Sequence, residues 1–250
     1  MRLICLMALL LAPVSGRAAD PSALWKIVSG QCVPHEETER SPSPCSEVDL
    51  AAGVEKGYVV LKDRNGVAQF LLIPTARISG IDDPAILAPG ETNYWDAAWQ
   101  ARSFVEDRLH ASLPRDDLSL AINSSVGRTQ DQLHIHVDCI RPDVHATLAA
   151  NLDKITNVWT PLTTPLAGHR YRAIRIDKPT LDGVNPFHVL ADADPQAAAD
   201  MGMHTLVVVG ATFPDGTSGF VLLDDHADLT AGDRASGEEL QDHTCAIAPK

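Results

Sequence analysis

Apolar positions along the chain fall into short continuous runs and longer periodic stretches, two patterns that separate strands from helices. In "GYVVLKDRNGVAQFLLIPTARISGI", the runs Tyr58–Leu61 and Ala68–Ile73 flank Asn65-Gly66. Asn-Gly between apolar runs predicts a β-hairpin, and Pro74 closes its second strand. "IDDPAIL" predicts a short helix start capped by Asp82 or Asp83. In "NYWDAAWQARSFVEDRLHASL", Trp95, Trp99, Arg102, Phe104, Val105 and Leu109 recur at helical spacing and predict one long amphipathic helix. "LSLAINSS" and "QLHIHVDCI" read as the next two strands, the latter ended by Pro142, and "VHATLAANLDKI" as a further helix.

The second half follows a similar course. "HRYRAIRID" reads as a strand, "DPQAAADMGM" as helical, and "HTLVVVGAT" with "GFVLLDD" as a hairpin across Asp215-Gly216. The closing "SGEELQDHTC" echoes "GRTQDQLHIHVDC" without its histidine pair. These patterns predict an α+β fold of two units. Residues 20–150 would form the first, and residues 151–250 a second, degenerate α+β unit packed on it.

The N-terminus changes the compartment. Arg2 precedes an apolar run from Leu3 to Val14, then the small-residue stretch Ser15–Ala19. A run of this length falls short of the roughly 20 residues a membrane span needs. Residues 1–19 therefore read as a secretory signal peptide, with an uncleaved membrane anchor as the alternative. Export would leave Cys32, Cys45, Cys139 and Cys245 in an oxidising compartment, where an even count suggests two disulfides. Three pairings are open; the short proline-rich loop between Cys32 and Cys45 favours that pair, leaving Cys139 with Cys245. Free buried thiols are the alternative.

Charge narrows the partners. Thirty-three acidic residues against 20 basic ones give a net charge of −13. Such a surface argues against nucleic acid and against broad adsorption to an anionic membrane. A phosphate site must come from local features.

The strand "QLHIHVDC" supplies them. Residues i and i+2 of a strand share a face, so His134 and His136 stand together, flanked by Gln132 and Asp138. Asn123, Ser124, Ser125, Gly127, Arg128 and Thr129 precede them and are residue types that cradle anions. Four readings arise: a polar strand face; a metal pair completed by Asp138, His35, His169 or His188; a binding site for phosphorylated ligands without turnover; or nucleophilic chemistry on phosphorus. In the last, one imidazole attacks through a ring nitrogen while its other nitrogen donates to a fixed acceptor.

"LLIPTARISGIDD", the long helix, "AINSS" and "GRTQDQLHIHV", in that order, resemble the histidine-triad (HIT) superfamily of nucleotidyl hydrolases and transferases. Within it, "NSSVGRTQDQLHIHVDCIRPDV" with the exported N-terminus resembles the bacterial CDP-diacylglycerol pyrophosphatase family. The resemblance implies a HIT-like antiparallel sheet with helices, possibly as two tandem units, the second degenerate. It implies hydrolysis of CDP-diacylglycerol to CMP and phosphatidate without metal or cofactor, at the periplasmic face of the inner membrane. The triad is incomplete, and two alignments compete. Matching Gly127–Thr129 to the family's phosphate loop puts Gln132 in the first histidine's place and makes His134 the nucleophile. Matching Asn123 and Gln130 instead makes His134 first, His136 central and Asp138 third. The first is preferred because it keeps the loop's distance to the nucleophile. Asn123, Arg128, Thr129, Gln130, Gln132 and Lys62 are then the candidate substrate-binding residues, with Arg128 and Lys62 offsetting pyrophosphate charge. Trp95, Trp99 and Phe104 read as core, with a lipid-facing surface as the alternative.

Overall fold

The computed structural model describes residues 20–249. The leader or anchor expected at residues 1–19 lies outside them.

Among these residues nine strands form one antiparallel sheet. They are β1 (Glu47–Asp49), β2 (Tyr58–Lys62), β3 (Phe70–Pro74), β4 (Leu118–Ile122), β5 (Ile135–Cys139), β6 (Thr160–Pro161), β7 (Arg172–Ile176), β8 (His204–Thr212) and β9 (Ser218–His226). Their order is β1-β2-β3-β5-β4-β8-β9-β7-β6. Both expected hairpins form, and Gly66 and Gly216 take the positive φ of +69° and +84° that their turns require. The expected short helix is a 3₁₀ turn over Pro84–Leu87, where the Asp83 carboxylate accepts from the Ala85 N–H at 3.0 Å.

Among the described residues seven α-helices dress the sheet: α1 (Ala23–Ile27), α2 (Val33–Glu39), α3 (Tyr94–Gln100), α4 (Arg102–Leu109), α5 (Pro142–Ala149), α6 (Pro186–Ala193) and α7 (Pro195–Ala199). The hydrophobic pattern does not predict α1 and α2, and it predicts one helix where α3 and α4 form. The break has a local cause. Arg102 Nη1 donates to the Trp99 carbonyl at 2.6 Å, and the guanidinium lies over the Trp99 ring at 4.7 Å. A continuous helix needs that same carbonyl for its next turn. The following bond instead spans three residues, from the Phe104 N–H to the Ala101 carbonyl at 3.1 Å.

The two faces of the sheet differ. On one, Val137, Leu120, Val208 and Leu222 pack against Trp95, Trp99, Val105, Phe187 and Leu190. Trp95 and Trp99 are buried there, so they are core and not a lipid-facing surface. The opposite face carries two separate clusters. Leu71 and Ile73 meet Val28, Val33 and the Cys32–Cys45 disulfide. Ala121, Val207 and Leu223 meet Val144 and Leu148 of α5. His136 pairs across the ladder with Leu71 on one side and Ala121 on the other. It therefore sits at the seam between the two clusters.

The C-terminal segment closes that seam. It is not a second copy of the histidine strand. Gly237–Leu240 is a 3₁₀ turn, and Gln241 makes an isolated bridge to Ile140. The second disulfide, Cys139–Cys245, anchors it to β5 as expected.

Candidate active site

His134 and His136 are buried, and their ring centroids lie 4.9 Å apart in an edge-to-face arrangement. Alternation along the strand sets them on one face; the hydrogen bonds around them give the two rings different roles.

His134 Nδ1 is 2.7 Å from the carbonyl oxygen of Gln132. A carbonyl only accepts, so the proton sits on Nδ1 and Nε2 keeps its lone pair. Burial pushes the pKa of His134 below the ordinary imidazole value and keeps the ring neutral.

His136 has the opposite tautomer. Gln69 Nε2 lies 2.9 Å from His136 Nδ1 and 3.3 Å from Glu238 Oε1. The carboxylate accepts, which points the amide N–H groups outward and makes His136 Nδ1 an acceptor. The His136 proton is then on Nε2, a buried atom with no hydrogen-bond partner among the described residues. Burial lowers this ring's pKa to about 4. An unpaired buried donor costs about 1–3 kcal/mol, which a ligand oxygen accepting from this nitrogen would recover.

Glu238 is held from three sides. Asn123 Nδ2 donates to its Oε2 at 3.3 Å, and the Glu238 N–H donates to Asn123 Oδ1 at 3.2 Å. His243 Nε2 stands 3.3 Å from Glu238 Oε1, while His243 Nδ1 donates to Asp138 Oδ2 at 2.8 Å. Burial pushes Glu238 up, but the hydrogen bonds from His243, Gln69 and Asn123 outweigh it and hold the group well below the usual carboxylate range. The bonds to Asp138 and Glu238 push His243 up to about 10. Burial lifts Asp138 as well, against the pull of His243. At 2.8 Å the two form a charged pair.

The other residues singled out in the sequence divide. Asn123 joins the site through Glu238. Gln132 is fully buried beside it, and its Nε2 donates to the Pro74 and Ala76 carbonyls at 3.1 and 2.9 Å. Gln130 faces the N-terminal segment, accepting from the Leu24 N–H at 3.0 Å and donating to the Asp20 carbonyl at 2.9 Å. Arg128 is paired with Asp82 and Asp131, so its charge is already offset. Thr129 is exposed. Lys62 pairs with Phe70, whose other partner is Val137, so it lies on the opposite sheet face. Its ammonium donates to the Asp63 and Gly66 carbonyls at 2.7 and 3.0 Å.

None of the distant histidines completes a metal pair with His134 and His136. His35 bonds the Ser43 carbonyl, His169 pairs with Glu239, and His188 faces Asp192. Gln69, Glu238 and His243 were missed in the sequence. One signal pointed toward the last two: the expected Cys139–Cys245 link carries "SGEELQDHTC" to the histidine strand.

Fold and site together describe a mixed α+β protein built on one antiparallel sheet, with two buried imidazoles side by side on it. The chain belongs to the CDP-diacylglycerol pyrophosphatase family, whose pattern matches residues 19–249. It is similar to the CDP-diacylglycerol pyrophosphatase of Yersinia pestis, 48% identical over 233 residues that cover 93% of this chain and 87% of that one.

Proposed function

We propose that the chain hydrolyses CDP-diacylglycerol to CMP and phosphatidate by two displacements at phosphorus, with His134 as nucleophile. The substrate follows from the family; the roles follow from the two tautomers, which carry this reading. His134 offers a lone pair on Nε2 because Nδ1–H is committed to the Gln132 carbonyl. His136 offers an N–H on Nε2 because Nδ1 is committed to Gln69.

In the first displacement, His134 Nε2 attacks the cytidylyl phosphorus. An N–P bond forms, the P–O bond to phosphatidate breaks, and phosphatidate leaves with the electron pair. The ring becomes cationic, and the Gln132 carbonyl stabilises it through the retained Nδ1–H. His136 Nε2–H donates to a non-bridging oxygen as charge develops there. Water then attacks the same phosphorus and gives up a proton to the solvent, the N–P bond breaks with its electron pair returning to Nε2, and His134 returns neutral with CMP released. Dividing one displacement into two is the use of covalent catalysis. His243, Glu238 and Gln69 form a relay that holds the His136 tautomer.

The sheet order supports two tandem HIT-like units. Inside the unmatched edge strand β1, the run β2-β3-β5-β4 is matched from the other edge by β6-β7-β9-β8, with helices α3–α4 and α6–α7 at equivalent places. In the second unit the histidine strand's counterpart is β9, where Val221 and Leu223 are buried in an apolar cluster. That unit is accordingly degenerate.

Export to the periplasmic face of the inner membrane, where the lipid substrate is reached, rests on the apolar N-terminus and the two disulfides. Rapid quenching with substrate labelled in the cytidylyl phosphate, followed by peptide mapping, tests the mechanism. The expected adduct is CMP on His134; an adduct on His136 would reverse the assignment.

A further inference from the structure

We infer that the chain carries a divalent-cation site, separate from the imidazole pair, built by His169, Asp225, Asp233 and Glu239 and suited to Mn²⁺ or Zn²⁺.

The site lies on the same sheet face as the histidines. His136 pairs with Ala121, Ala121 with Val207, and Val207 with Leu223. Asp225 is two residues beyond Leu223 on β9 and so projects to that face. Strand β9 is three places from β5, about 14 Å at the usual strand spacing. The cation would therefore not touch the reacting phosphorus.

Ligand atoms of His169, Asp225 and Glu239 all lie within 4.8 Å of one another. Asp233 Oδ1 adds a fourth, 3.5 Å from His169 Nδ1. Two observations point to a ligand. Asp225 is only 6% exposed, and its Oδ2 has no hydrogen-bond partner among the described residues. Asp233, only 8% exposed, is also inside the group, so three carboxylates face one imidazole. Asp225 and Asp233 lie together and Glu239 already accepts from His169 and Tyr171, so a cation entering here would take over charge that protons now offset.

The donor set indicates which cation. One imidazole nitrogen with carboxylate oxygens suits borderline divalent ions, whereas Ca²⁺ and Mg²⁺ prefer oxygen alone. Tyr171 O–H donates to Glu239 Oε1 at 2.9 Å and orients that ligand, as outer groups of metal sites do. His169 Nδ1–H now donates to the same oxygen at 2.8 Å; on binding, that proton leaves and the nitrogen turns to the ion. Access is open, because His169, Tyr171, Asp225 and Asp233 line a cavity of about 1300 Å³.

The site has a structural consequence. Glu239 follows Glu238 in the 3₁₀ turn Gly237–Leu240, so one turn sends Glu238 to the Gln69–His136 relay and Glu239 to the cation. Holding Glu239 steadies the turn that holds Glu238. The proposal stands whether or not His134 is the nucleophile.

The test uses the full mature chain, stripped with chelator and titrated with MnCl₂ and with ZnCl₂ by calorimetry and thermal melting. The expected result is saturable binding of at least one of these ions and a rise in melting midpoint. Asp225→Asn should weaken binding by at least about tenfold, since even outer-shell losses cost that much. His169→Asn, at a half-buried ring, should do the same and serves if Asp225→Asn fails to fold. No binding of either ion by the wild-type chain would overturn the proposal and leave Asp225 and Asp233 sharing a proton. Unchanged affinity in the folded variants would overturn it too, by placing the ion elsewhere.

Discussion

His243 Nδ1 donates to Asp138 Oδ2 across 2.8 Å, joining the last segment of the chain to the histidine strand 105 residues earlier. Through this pair the C-terminus becomes part of the site. His243 also meets Glu238, Glu238 meets Gln69, and Gln69 meets His136. A residue near the end of the chain thereby sets the proton position on a ring in the middle of the sheet.

The two histidines should fail differently. His134→Ala should form no CMP adduct and show no burst. His136→Ala should still form the adduct, with turnover lowered by about 10²–10³, the usual cost of one lost donor to a developing oxyanion. Rapid-quench kinetics on both variants reads this directly, and wild-type rates in both would dismiss the imidazole pair from the reaction.

The acid limb of kcat/KM should lie below pH 6.5, the ordinary imidazole value, because burial lowers the pKa of His134 and attack needs the neutral ring. A pH–rate profile with its acid limb at or above that value would contradict the neutral, buried nucleophile.

Stability should fall on the alkaline side. The His243 pKa is raised from 6.5 to about 10, so the folded state holds a proton that the unfolded state releases. That contribution is fully present below pH 6.5 and is lost as pH rises through about 10. Melting midpoints between these limits should decline in the wild type and decline less in His243→Gln. Parallel curves would remove His243 from the account.

The Cys139–Cys245 bridge closes a sequence separation of 106 residues. Replacing both cysteines by serine should cost on the order of 5 kcal/mol by the loop-entropy relation. Turnover should fall as well, since Glu238 and His243 lie just before Cys245. Urea unfolding and kinetics on the one variant test both; full activity with reduced stability would confine the bridge to a structural role.

Chelation should leave the covalent step intact. Both imidazoles already have hydrogen-bonded roles that need no Lewis acid. Stripped enzyme should still form the His134 adduct while its melting midpoint falls through loss of the second site. Complete loss of the adduct, restored by metal, would place an ion in the chemistry.

Much of this was legible locally. Asn65-Gly66 and Asp215-Gly216 specify their hairpins because their turns need the positive φ that glycine supplies. Strand alternation alone put His134, His136 and Asp138 on one face. The spacing of Cys32 and Cys45 favoured their pairing, which forms. The turns and the strand face depend on residues within a few positions, where backbone geometry is decided, and the disulfide on a sequence separation of only 13. Tertiary structure decided the rest. Arg128 stands in an anion-binding stretch yet is paired by Asp82, 46 residues away. Gln69 reaches His136 across 67 positions because β3 is laid beside β5. No local period encodes such meetings. Hydrophobic patterning says which side of a strand faces inward, but strand order and a late disulfide decide which groups meet there, and so which ring gives a lone pair and which gives a proton.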